Sequence, residues 1–79
     1  MEYLFSFDRI VNMKTFIEAV KNCEHEVFFE SREGDKLALH STLCQFILYS
    51  ICEHPHLTKD AVIRCIGEHD AQILKPHFH

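Results

Sequence analysis

Residues 26–40 read EVFFESREGDKLALH, and this stretch decides the fold. Two segments that alternate apolar and polar residues, Glu26–Ser31 and Lys36–His40, flank a turn at Arg32–Asp35 in which Gly34 can adopt a positive φ. The alternation places four apolar side chains on one face: Val27, Phe29, Leu37 and Leu39. The stretch therefore predicts a β-hairpin with one face turned toward a core.

A helix is predicted on each side of the hairpin. Upstream, Met13–Cys23 carries an apolar stripe at helical spacing, and Asn12 is a favourable N-cap. Downstream, a helix follows the N-cap candidate Ser41 and should end near Glu53, because Pro55 disfavours the α conformation in the residue before it. Its apolar stripe, which we expect to face the core, is formed by Leu43, Phe46, Ile47, Ser50 and Ile51.

The remaining segments complete the order β-α-β-β-α-β-α. They are predicted to be a strand at Glu2–Phe7, a polar loop at His54–Lys59, a strand at Asp60–Ile66, a helix at Glu68–Lys75 and a frayed tail at residues 77–79. This order predicts an α+β open-faced sandwich, in which a four-stranded, mainly antiparallel sheet has its helices on one face. The last strand fits between the first and the second if both crossovers are right-handed.

The composition is that of one small domain, residues 1–79, without a basic field. The chain has 79 residues, a formal net charge of −4 and 47% hydrophobic residues. No stretch approaches the roughly 20 apolar residues of a membrane span, and the opening MEYLFSFDR lacks the basic region of a signal peptide. We therefore expect a cytoplasmic protein with reduced thiols that binds neither nucleic acid nor membrane.

Three segments carry a family resemblance: Phe16–Val20, Glu26–Glu30 and His40–Leu43. In these segments and in its element order, the chain resembles HPr, the histidine-containing phosphocarrier of the bacterial sugar phosphotransferase system. The likeness covers most of the chain, and its most motif-like part is the neighbourhood of Ser41. It implies an HPr-like fold with the same order of strands and helices.

The histidine that carries the phosphoryl group in that family is missing. The family opens its first helix with Gly-Leu-His-Ala-Arg-Pro-Ala, and the resemblance aligns its histidine with Arg9, its arginine with Val11 and its proline with Asn12. No histidine occurs in residues 1–24. The resemblance thus implies a scaffold whose active-site positions are degenerate.

Two further family features fall at the start of the second helix. Ser41 matches the position that a regulatory kinase phosphorylates in many relatives, although serine is also a preferred N-cap without any regulation. Thr42, Leu43 and Phe46 match the apolar patch that docks partner proteins. The periodicity favours a core position for Leu43, and it leaves Phe46 shared between the core and its rim.

No catalytic or cofactor motif accompanies these features. Cys52, His54 and His56 offer soft metal ligands within five residues, but their spacing fits no standard zinc pattern, so we predict no physiological metal site. The chain has only two glycines and no glycine-rich phosphate loop. We therefore predict that it has no cofactor and is not an enzyme.

Three functions remain open. The resemblance favours a non-catalytic, HPr-like domain that acts through protein contacts, as a regulatory or decoy relative of the phosphotransferase system with partners among its proteins. The second is an atypical phosphocarrier that uses Ser41 or another acceptor, with Arg9 binding the anion. The third is an unrelated α+β domain with a ligand-binding or assembly role.

Overall fold

A computed structural model describes all residues of the chain, 1–79. It contains four strands, four α-helices and two 3₁₀ turns, Phe7–Arg9 and Lys75–His77. The strands and helices are β1 (Glu2–Ser6), α1 (Met13–Lys21), β2 (Phe28–Glu30), β3 (Lys36–Ala38), α2 (Thr42–Ile51), α3 (Pro55–Thr58), β4 (Val62–Ile66) and α4 (Glu68–Leu74).

The four strands form one open sheet in the order β1-β4-β2-β3, and every neighbouring pair is antiparallel. The last strand lies between the first and the second, as the sequence predicts. The turn of the β2–β3 hairpin is confirmed as well, with Gly34 at φ +97°. Each strand is shorter than the segment predicted for it, because hydrogen-bonded pairing ends before the apolar alternation does.

The two faces of the sheet differ in burial. One cross-strand row runs Phe5, Ile63, Phe29, Leu37, and its two central members are almost completely buried. The neighbouring row has Arg64 at its centre and Leu4, 56% exposed, at one end. The fold is therefore an α+β sandwich whose core lies between one face of the sheet and the helices.

The open face of the sheet is held by charge. The guanidinium of Arg64 donates to both carboxylate oxygens of Glu30, at 2.7 and 3.0 Å, and to Glu2 at 2.7 Å. These bonds connect β1, β4 and β2. The hydrogen bond from Arg64 and its nearby charge hold the pKa of Glu30 below its usual value.

The inward face of α2 is not the predicted one. Leu48 is fully buried, and Cys44, Ile51 and Cys52 flank it at helical spacing. Leu43 is 68% exposed and Phe46 67% exposed, so the core position predicted for Leu43 and the partial one for Phe46 are wrong. The helix has apolar residues at helical spacing on two sides, and the sheet covers one of them.

Two further expectations are wrong. Residues 54–59 do not form an open loop, because Pro55 begins the short helix α3, where a proline in the first turn is tolerated. The tail is not frayed either. The backbone N–H of His79 donates to the carbonyl of Arg9 at 3.0 Å, and the Phe78 ring stacks on that of Phe5 with the ring centroids 4.5 Å apart.

No helix has the length and apolar character that crossing a membrane requires.

Candidate docking surface

The start of α2 is fixed by two side-chain hydrogen bonds, one from the N-cap residue and one from the first turn. Ser41 is the N-cap, as predicted, and its Oγ accepts the N–H of Cys44 at 3.4 Å. The side chain of Gln45 donates to the Leu39 carbonyl at 2.8 Å. The first turn is thereby tied to the end of the hairpin, so the exposed residues of α2 are held on a rigid element.

A second tie connects this helix start to α1. The Nε2 atom of His40 lies 3.0 Å from the Val20 carbonyl oxygen. The carboxylate of Glu26 accepts the backbone N–H groups of His40, at 2.9 Å, and Val27, at 3.1 Å. His40 therefore couples the position of Ser41 to the end of the first helix.

Four residues of α2 form an exposed surface, which we call the α2 patch: Thr42, Leu43, Phe46 and Ile47. Their spacing places them on one side of the helix, opposite Leu48. With two large side chains more than 60% exposed, the patch is the largest cluster of solvent-facing apolar side chains on any helix of the chain. Clustered exposed apolar residues indicate an interaction surface, whereas single ones are ordinary. The structure thus places all three predicted docking residues on the surface together.

Arg9, Val11 and Asn12, which the resemblance aligns with the active-site motif of that family, lie directly before α1. Asn12 is the N-cap of this helix, and its side chain accepts the N–H of Thr15 at 3.1 Å. Arg9 and Val11 are exposed. Both pair with the tail, because Val11 donates its N–H to the carbonyl of His77 at 2.9 Å and the Arg9 guanidinium donates to the carbonyl of His79 at 3.2 Å.

This pairing brings histidines to a segment that has none in sequence. His79 and Arg9 border one shallow hollow, whose other charged residue is Lys75. Sequence reasoning missed the arrangement because it treated residues 77–79 as frayed. The apolar tail residue Phe78, between two histidines, was the available signal, since an aromatic side chain this large gains from burial.

A buried carboxylate, Asp70, is the second feature that the sequence did not reveal. It is completely inaccessible to solvent, and its oxygens accept the N–H groups of Glu24 and His25, both at 2.8 Å. Burial alone would raise its pKa, but these two donors and the nearby His69 lower the pKa below its usual value. Asp70 thus fastens the chain after α1 to the first turn of α4.

Two of the four cysteines, Cys23 and Cys65, are buried. Burial together with the charge of Asp70 raises the pKa of Cys23 to about 12. Burial raises the pKa of Cys65 in the same direction. Both thiols are therefore protonated at neutral pH and unsuited to nucleophilic chemistry.

The segment with potential metal ligands is open at the surface. The Cys52 thiol is directed to the Tyr49 carbonyl at 3.0 Å, and the rings of His54 and His56 have their centroids 5.9 Å apart. No three side chains of histidine, cysteine, aspartate or glutamate converge on a common point anywhere in the chain.

Comparison with protein-family models, with characterised proteins and with solved structures gave no match.

Proposed function

We propose that this chain is a non-catalytic, HPr-like domain that acts through protein contacts, with the α2 patch as its docking surface. The observation that carries the proposal is the joint exposure of Leu43 and Phe46 on one side of a capped helix. A side chain that is two-thirds exposed gains little from folding, so its apolar surface is available for a partner.

The antiparallel open sheet with its core against the helices supports the HPr-like part of the proposal. The position of Arg9, Val11 and Asn12 directly before α1 supports it as well. In this proposal the partners are proteins of the sugar phosphotransferase system, and the missing histidine makes the domain a regulator or a decoy rather than a carrier.

The test is a titration of the isotope-labelled chain with the general enzyme of the phosphotransferase system, followed by NMR. Amide shifts should concentrate at the α2 patch, and Phe46→Glu should weaken binding at least tenfold, as loss of a central apolar anchor does. Leu4→Glu, on the open face of the sheet, is the matched control and should bind like the wild type. Absence of binding, or equal weakening by both variants, contradicts the proposal.

Regulation at Ser41 is a second part of the proposal. The hydroxyl is exposed at the N-terminus of α2 and adjoins the α2 patch, so a phosphate there would add about two negative charges beside the docking surface. The regulatory seryl kinase of the family should modify the wild type and leave Ser41→Ala unmodified, as measured by intact mass. An unmodified wild type removes this part of the proposal.

One observation favours the alternative of an atypical phosphocarrier. Arg9 and His79 border the same hollow, so an imidazole and an anion-binding guanidinium lie near the start of α1. Incubation with phosphoenolpyruvate and the general enzyme separates the two functions. An unchanged intact mass supports the non-catalytic domain, whereas a phosphoryl adduct lost in His79→Gln or in Ser41→Ala identifies a carrier and its acceptor.

A further inference from the structure

A cleft of about 300 Å³ opens between the turn of the β2–β3 hairpin, the second half of α2 and α3. Its floor is apolar and comes from three sources: the cross-strand pair Phe29 and Leu37, the residues Ile47 and Ile51 one helical turn apart, and Leu57 of α3. The short helix α3 therefore forms one wall of the cleft.

The positively charged residues at the rim of the cleft differ in whether they have a partner. The Arg32 guanidinium lies 3.5 Å from the carboxylate of Asp60. The ammonium of Lys36 lies 4.3 Å from the ring centroid of Phe28, whose row is the one that carries Arg64 on the open face of the sheet. Both cations are therefore drawn toward groups other than the floor of the cleft.

Lys59 differs from these two cations. It is exposed at the end of α3, borders the cleft, and forms no ion pair with any carboxylate. His56 borders the same side. On the opposite side, the turn contributes the carboxylates of Glu33 and Asp35. The side at α3 can thus receive an anionic group, whereas at the turn the charges of Arg32 and Lys36 balance those of Glu33 and Asp35.

We propose that the cleft binds a small amphipathic carboxylate, with its apolar body on the floor and its carboxylate at Lys59. The volume lies at the lower end of the roughly 300–1,000 Å³ typical of small-molecule sites, which restricts the ligand to a medium-length chain or a single ring. Lys59 supplies one cation without a carboxylate partner, which matches the single charge of a carboxylate better than the two charges of a phosphate dianion.

The cleft shares one residue with the α2 patch but not the proposed anchor of that patch. Phe46, the proposed anchor of the α2 patch, does not border the cleft, whereas Ile47 belongs to both surfaces. Phe46→Glu should therefore leave the binding of a carboxylate unchanged, and changes at Lys59 should leave the docking of a protein unchanged. The two proposals can fail independently.

The test uses octanoate as the probe and 1-octanol and octyl phosphate as matched compounds of equal chain length, titrated into the labelled full chain by NMR. Octanoate should saturate and shift the methyl groups of Leu37, Ile51 and Leu57, and it should bind more tightly than either matched compound. Lys59→Gln should weaken octanoate binding roughly three- to fivefold, as expected for one exposed charge pair. Lys14→Gln, an exposed lysine on α1, is the control.

Leu57→Asp is the second variant, because Leu57 is 41% exposed and outside the core, so the fold should persist. It places a carboxylate on the floor and should abolish the octanoate shifts. No saturation by octanoate, shifts confined to residues outside the cleft, or octanol and octanoate binding equally in wild type and Lys59→Gln would each overturn the proposal.

Discussion

The carboxylate of Asp70 accepts the backbone N–H of His25 across 45 positions of sequence, at 2.8 Å. The same carboxylate accepts the N–H of Glu24, and solvent reaches none of it. One side chain thereby satisfies two backbone donors in the turn that follows α1, where no other secondary structure supplies an acceptor.

We predict that Asp70→Asn lowers the free energy of unfolding by about 2–4 kcal/mol. An amide offers one oxygen, so one of the two backbone N–H groups loses its partner and faces the donor NH₂ group. Urea denaturation measures the loss. Glu18→Gln is the control, because Glu18 and Lys21 form only an exposed pair at 3.9 Å, and a change above about 1 kcal/mol there would contradict the reasoning.

The contribution of Asp70 should also depend on pH. Its pKa in the folded state is lowered, so the unfolded chain binds the proton more readily. The stabilisation is therefore present above the ordinary aspartate pKa of about 3.9 and is lost as pH falls through the folded-state pKa. Urea midpoints from pH 6 to pH 2 should show the gap between the wild type and Asp70→Asn closing in acid. A constant gap would argue against this linkage.

The orientation of α2 predicts unequal effects of the same substitution at two of its leucines. Leu48→Ala should destabilise the fold by about 2–5 kcal/mol, because it leaves a cavity in the core. Leu43→Ala makes the same chemical change on the exposed side and should stay within about 0.5 kcal/mol of the wild type. Urea denaturation of both variants measures the two changes in the free energy of unfolding. Equal losses would mean that Leu48 does not face the core while Leu43 faces solvent.

The tail should contribute to stability through one aromatic ring. Phe78 stacks on Phe5 and meets Phe16 edge-on, with centroids 4.5 and 5.6 Å away. Because this ring is only partly buried, Phe78→Ala should cost about 1–3 kcal/mol, less than a fully buried phenylalanine. His79→Ala, whose side chain is exposed, should be close to neutral in thermal melts. If Phe78→Ala leaves stability unchanged, the prediction of a frayed tail would be correct after all.

The hairpin and the placement of β4 follow from the sequence because each rests on a single pattern. The alternation of Val27 and Phe29 leaves one choice of buried face, and a shift of one residue would expose both. The order of strands and helices then admits few sheets, and the right-handed crossover rule leaves an insertion of β4 beside β1.

The orientation of α2 does not follow from the sequence, because two stripes share the helical period. Leu43, Phe46 and Ile47 satisfy it as well as Cys44, Leu48 and Ile51 do. Periodicity measures spacing and not which side a sheet will cover. The burial of Asp70 could not be predicted for a related reason. A carboxylate in the first turn of a helix is favourable at the surface, so its identity and position say nothing about burial.

The sheet order also determines when the chain can fold during synthesis. β1 is made first, yet β4 is its one hydrogen-bonded neighbour, and Tyr3 is paired with Cys65. At a synthesis rate of about 5–20 residues per second, the strand waits roughly 3–12 s before its neighbour has been made. During that interval the apolar side chains of β1 and its unpaired backbone are open to chaperones or to other nascent chains. Translation speed over the segment between β1 and β4 should therefore influence how much of this protein reaches its native state.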